Sequence, residues 1–203
     1  MKKFIFTTLT LIFSFTIISQ SQQLVKEPST GKSFPAEVSF RVGDKDYSLS
    51  YTGLAVRKKF FFKVYGMIHY IDYTGEVKNK EEAFNLILTD GKAKQITMEF
   101  ARDVDAQKIR DAYMEGFKLN ATPVEFQSIQ PLVNQFVDYF NTDVKENDKF
   151  ILRWLPGGAI LTIIKGNTKP VITSDIFART LWSIWFGKGS IVDRDKLIER
   201  MLK

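Results

Sequence analysis

The chain has no cysteine and a single histidine in 203 residues. Without cysteine it can hold no disulfide, thiolate metal site, cysteine nucleophile or lipid-modified N-terminal cysteine. One histidine, His69, cannot furnish a His/Cys/Asp ligand set. Neither a His-Glu-x-x-His pair nor a Ser-His-Asp arrangement can be assembled around it. No metal and no cofactor is therefore expected. Glycine-rich phosphate loops are missing too: Gly157-Gly158 and Gly187-Lys188-Gly189 are not Gly-x-Gly-x-x-Gly, and none ends in Lys-Ser/Thr. The net charge of +6 is modest for this length, and no nucleic acid is needed to explain it. Asp143, Glu146 and Asp148 share one loop and read as a solvated acidic turn. No repeat or low-complexity block interrupts the chain.

Hydrophobic residues make up 44% of the chain and aromatic ones 14%, enough for one globular domain with a real core. Lys2 and Lys3 precede an apolar run from Phe4 to Ile18, followed by Ser19-Gln20-Ser21. A charged start, a short apolar stretch and small residues are the pattern of a secretory signal peptide. The run is shorter than the ~20 residues that span a bilayer, so residues 1–21 are expected to be removed near Gln20–Ser21. The mature protein would then be periplasmic or secreted, without a membrane span. Residues 22–33 read as a polar linker, because Pro28, Ser29, Thr30 and Gly31 oppose regular structure. The folded domain is placed at 34–203.

The most informative stretch is Gly53-Leu54-Ala55-Val56-Arg57-Lys58-Lys59, followed by Phe60 to Tyr70. The second part is β-branched and aromatic and predicts a strand. Strict alternation puts Phe61, Lys63, Tyr65, Met67 and His69 on one face and Phe60, Phe62, Val64, Gly66, Ile68 and Tyr70 on the other. The second set predicts a core-facing side. The first mixes aromatic, cationic and thioether groups and suits solvent or the floor of a cleft.

Around it, 37–42 and 47–51 alternate across Gly43-Asp44-Lys45-Asp46 as a hairpin. Asn79 predicts a helix cap and Thr89-Asp90-Gly91 the end of that helix. Residues 94–100 alternate as a strand. Asp103 is read as the cap of a helix through Ile109, Tyr113 and Phe117, and a second helix is predicted from about 123 to 140. Strands at 149–155 and 159–164 flank Pro156-Gly157-Gly158, a short strand is placed at 170–172, and Ser174 and Asp193 are read as caps of two final helices. Strand-rich segments followed by helices indicate an α+β fold with a mainly antiparallel sheet.

Gly-Leu-Ala-Val-Arg, a short basic spacer and then an aromatic strand ending in a tyrosine resemble the chalcone isomerase family, in particular its bacterial secreted members. The resemblance returns in Phe177-Ala178-Arg179-Thr180-Leu181-Trp182-Ser183-Ile184-Trp185-Phe186-Gly187-Lys188 and covers most of 34–203. It implies an open-faced sandwich with helices layered on one side of the sheet. It also implies that Arg57 occupies the position of an arginine that holds an anionic ligand. In the enzymes this arginine assists while a phenolate adds across an enone, so Arg57 would be catalytic only if this protein is an enzyme.

Other positions depart from the family pattern. A threonine that orders water near the ketone falls at Tyr65. A tyrosine and, seven residues on, an asparagine fall at Asp105 and Ala112, while Lys108 keeps a lysine. A hydroxyl-bearing position falls at Ile184, beside Trp185. The expected ligand site is thus Arg57, Lys63, Tyr65, Met67, Asp105, Lys108, Ala112, Ile184 and Trp185.

An arginine without its helpers can hold an anion but lacks the donors that stabilise developing charge. The leading expectation is a non-catalytic protein binding a small amphipathic or anionic molecule, as fatty-acid-binding members of the family do. The alternatives are a chalcone-type isomerase (an intramolecular lyase) and an envelope module that binds a protein partner. Haem ligation by His69 or Tyr65 is a variant of the first. The oligomeric state is not legible.

Overall fold

The computed structural model describes residues 23–202. The elements run β1 (Leu24–Lys26), β2 (Ser33–Pro35), β3 (Glu37–Val42), β4 (Lys45–Lys59), β5 (Phe62–Ile71), α1 (Lys80–Leu88), β6 (Lys94–Phe100), α2 (Ala106–Asn120) and α3 (Pro123–Asp138). They continue with β7 (Lys149–Leu155), β8 (Ala159–Ile164), β9 (Asn167–Thr168), β10 (Ile172–Thr173), α4 (Asp175–Phe186), α5 (Arg194–Leu197) and a 3-10 turn at Glu199–Met201. The main sheet has the order β10-β8-β7-β6-β5-β4-β3, with β9 beside β8, and every neighbour is antiparallel. The α+β reading and the one-sided helical layer are what the structure has. The expected signal peptide lies outside the described residues.

Local chemistry explains most boundaries. Asn79 accepts from Glu82 N at α1, Ser174 accepts from Phe177 N at α4, and Thr122 and Glu125 form a reciprocal capping box at α3. The start of α2 differs from the expectation. Its cap position is Asp105, not Asp103, and the Asp105 side chain makes no capping bond. Ala106 N donates instead to Asp143 Oδ1 at 3.0 Å, from the loop before β7. One member of the acidic cluster is therefore a cap supplied from a distance, and Asp103 pairs with Lys145. The strand placed at 170–172 is also displaced, to β9 and β10, and the last helix is a single turn, α5.

Two clusters sandwich the sheet. On the helical side, Tyr65, Met67, Ile96, Phe100, Phe150, Leu152 and Trp154 meet Phe117, Phe136, Phe140, Phe177, Leu181 and Trp185. On the outer side, Tyr47, Leu49, Ile68 and Tyr70 meet Phe34. Apart from Phe34 and Pro35, the outer hairpin is made of residues expected as a linker. There β1 pairs with β2, and Glu27 accepts from the backbone N–H and hydroxyl of both Ser29 and Thr30. Burial raises the Glu27 carboxyl, but these donors outweigh it and hold it below the usual range. Pro28, Ser29, Thr30 and Gly31 thus build a tight turn, lying so close that a Cβ on Gly66 would come within 2.7 Å of Thr30 Oγ1. Tyr70 ties the hairpin down by donating to Pro35 O at 2.8 Å.

The face assignment of β5 needs correcting. Both of its sides are buried from Tyr65 onward. The mixed side, read as solvent or cleft floor, is the one the helices cover. The side read as the main core carries the smaller outer cluster.

Candidate functional site

Arg57 and Tyr65 are register partners on β4 and β5, so both side chains point to the helical side. Two irregularities decide who joins them. Thr52 is an extra residue between the pairs Tyr51–Tyr70 and Gly53–His69, and Val64 is an extra residue between Tyr65 and Lys63. A bulge reverses the alternation beyond it. Lys63 therefore leaves the face of Tyr65 and Met67, and its ammonium donates to Ser29 O on the outer hairpin.

Tyr65 and Met67 lie in the core, and so does Trp185. Trp185 Nε1 donates to the Tyr65 hydroxyl at 3.0 Å. Burial pushes the Tyr65 phenol up to about 12, against the opposing pull of this bond and of the Arg57 charge. The space above is filled by rings: Tyr113 lies 6.2 Å from Trp185 edge-on and 4.8 Å from Phe140. Half-buried Arg57 lies at the rim of this cluster. Its Nη1 donates to Ile191 O at 2.9 Å, and no other hydrogen bond or ion pair of the guanidinium is present among the described residues.

The α2 positions taken from the resemblance do not reach this place. Asp105, Lys108 and Ala112 are exposed, and Asp105 pairs with Lys108 on the outer face. The residues seven apart that α2 turns inward are Ala106 and Tyr113, one position further along. Tyr113 was missed, although its place among Ile109, Gly116 and Phe117 marks the apolar stripe. The Ile184 side chain is buried against Gly116, where a Cβ would lie 2.8 Å from Ile184 Cδ1. Of the expected set, Arg57, Tyr65, Met67 and Trp185 gather, and Lys63, Asp105, Lys108, Ala112 and Ile184 do not.

A groove of about 800 Å³ runs along β4; Arg57 does not line it but reaches its edge through its bond to Ile191 O. Strand β3 pairs with β4 only up to Ser50, and Tyr51 N still donates to Ala36 O, which leaves residues 52–59 as an edge. Tyr51, Leu54, Ala55, Val56, Ile191 and Val192 give the groove an apolar lining, and Lys58, Lys196 and Arg200 give it cations. Glu27, Asp193 and Glu199 also line it, but Glu27 is saturated by its four donors. The volume is that of a small-molecule site. None of these lining residues except by neighbourhood to Arg57 was legible as a site, because the groove joins segments more than a hundred residues apart.

His69 is sealed. Thr52 Oγ1 donates to Leu197 O at 2.6 Å and lies 2.7 Å from His69 Nδ1. The single hydroxyl proton is thereby used, so Nδ1 carries the ring proton. Phe186 packs on the ring at 4.6 Å, and burial holds the imidazole well below its usual range. A porphyrin has no approach to it, nor to the covered Tyr65. Among the described residues no three His, Asp or Glu side chains are grouped to hold a metal, and no helix is long and apolar enough to cross a membrane.

Residues 29–203 match the model of a family described as chalcone isomerase-like. A solved structure, that of a fatty-acid binding protein of Arabidopsis thaliana, has the same fold: TM-score 0.69 at 19% identity, covering 88% of this chain and 97% of that one. No curated protein sequence matches.

Proposed function

Because the chain belongs to the chalcone isomerase-like family, we propose that it is an exported, non-catalytic member that binds a small amphipathic acid of the fatty-acid kind, with Arg57 as anchor. The observation that carries the reading is an apolar groove rimmed by Lys58, Lys196 and Arg200, at whose edge the incompletely bonded Arg57 guanidinium is held by the lining residue Ile191. A carboxylate head would meet a fixed, permanently charged fork, and a tail would lie on Ala55, Ile191 and Val192. The name of the Arabidopsis protein points the same way.

Ring closure of an enone is disfavoured by the fate of Tyr65. Its hydroxyl stands where the family has a water-ordering threonine and is bonded to Trp185 under a lid of rings. It can neither reach a substrate nor give up its proton near neutral pH.

Displacement of a fluorescent fatty acid tests this on wild type, Arg57→Ala and Arg57→Lys, with a melting curve for each. Losing charge-assisted hydrogen bonds worth about 1.5–3 kcal/mol should weaken binding roughly 10- to 100-fold in Arg57→Ala. Lysine should restore part of it. The lost bond to Ile191 should cost about 1 kcal/mol of stability. Equal affinities in all three proteins, or collapse of the alanine variant, would make this arginine structural.

A further inference from the structure

The hairpin between β4 and β5 ends in three phenylalanines that the fold does not use. Phe60 is 85% exposed, Phe61 97% and Phe62 58%. Strand β6 pairs with β5 only from Tyr65 onward, so Lys58–Lys63 and Lys59–Phe62 pair alone and carry the tip past the neighbouring strand. The two turn positions are Phe60 and Phe61, where tight hairpins ordinarily carry Asn-Gly. Phe60 adopts φ +55, a left-handed conformation that a bulky side chain disfavours. The chain thus accepts local strain and exposed rings at one point, and such departures from local preference concentrate at functional sites.

Cations surround the rings. Lys58 and Lys59 precede them, Lys63 follows, and the Arg102 guanidinium lies 4.5 Å over the Phe62 ring. The nearest acid in sequence to Arg102, Asp103, is engaged by Lys145. An apolar aromatic point inside a cationic collar is complementary to one surface: rings enter the headgroup region while lysines and arginine meet lipid phosphates.

We propose that the Phe60-Phe61-Phe62 tip docks this protein on membranes that contain anionic lipid. Lys58 and Ser29, beside the base of the tip, also line the groove, so docking would bring the groove to the lipid surface. The docking itself does not depend on what the groove holds.

The three native tryptophans, Trp154, Trp182 and Trp185, are buried, so Phe61→Trp places an exposed reporter at the tip. The full-length chain is mixed with vesicles of equimolar phosphatidylcholine and phosphatidylglycerol carrying brominated acyl chains. Emission should shift to the blue and be quenched by bromine, with much weaker effects on pure phosphatidylcholine. Adding Lys58→Gln or Lys59→Gln should lower partition about fivefold each, and adding Phe60→Ser with Phe62→Ser should abolish the quenching while the melting temperature holds. If the indole stays accessible to iodide with vesicles present, the proposal fails even when the chain sediments, since the N-terminal apolar stretch would then be holding it. A blue shift that grows with protein concentration in the absence of lipid would also overturn it, by showing that the tip meets a second copy.

Discussion

The indole nitrogen of Trp185 on α4 donates to the hydroxyl of Tyr65 on β5 at 3.0 Å, both residues almost wholly shut off from solvent. The bond fastens the central helix to the middle of the sheet. Tyr65→Phe would leave the indole N–H buried without a partner, at a cost of about 1–3 kcal/mol. Tyr65→Phe with Trp185→Phe should show non-additivity, because the second change removes the orphaned donor. Chemical denaturation of the four proteins measures it. Strict additivity would mean that the two groups are bonded elsewhere.

Gly53 has a packing reason to be glycine. A Cβ there would lie 1.9 Å from Lys196 O and 2.6 Å from the Leu197 carbonyl carbon, backbone that cannot step aside without moving α5. Gly53→Ala should destabilise by about 1–3 kcal/mol, the range for overpacking a tight contact. It should also weaken the fatty-acid probe, because Asp193 and Lys196 of the groove ride on that segment. An unchanged melting temperature would show that α5 docks loosely.

Lys94 gives a pH dependence with a definite sign. Its amine is buried, donates to Thr89 O at the end of α1 and lies 3.7 Å from the centre of the Trp154 ring. Burial pushes it down to about 7, with the Asp90 charge pulling upward. Between that value and the ordinary lysine range near 10.4, the unfolded chain binds more protons at this position, so stability rises with pH. The limiting slope is about 1.4 kcal/mol per pH unit. Wild type should therefore gain on Lys94→Met from pH 7 to 9.5. Above ~10 the buried phenols reverse the trend, because they ionise more readily once unfolded. Parallel curves from pH 6 to 9.5 would show that the Trp154 face and the Thr89 carbonyl keep the amine charged.

Export has a simple readout. Intact mass of protein from a secretory compartment should correspond to a start near Ser21–Gln22, because Lys2-Lys3 and the apolar run carry a signal peptide pattern. A mass that retains residues 1–20 would rule this out.

Local signals predicted the elements well and the faces badly. Hairpin turns, caps and helical stripes are written within a few residues of each other, so β3, α1, α3, β7, β8 and α4 were readable. What failed depended on remote partners. The cap of α2 comes from Asp143, the hairpin of β1 and β2 is tied down by Tyr70, and a groove wall comes from residues 190–200. Arg57, Tyr65, Met67 and Trp185 do lie near one another, and two motifs mark their stretches. Asp105 and Ala112 were misplaced because counting back along a helix is unforgiving. One residue turns the helix by about 100°, enough to exchange the buried Tyr113 for the exposed Ala112.

The extra residue at Thr52 makes β4 a strand with two phases. Before it, odd-numbered side chains such as Tyr47 and Leu49 serve the outer cluster; after it, Ala55 and Arg57 serve the helical side. Length variation in this strand is therefore not neutral trimming. Loss of the single codon for Thr52 would turn residues 53–59 inside out, carrying Arg57 to the opposite surface and leaving Leu54 and Val56 to face the helices. A relative lacking that one residue could keep every side chain of the Gly-Leu-Ala-Val-Arg stretch and still have no arginine beside its groove.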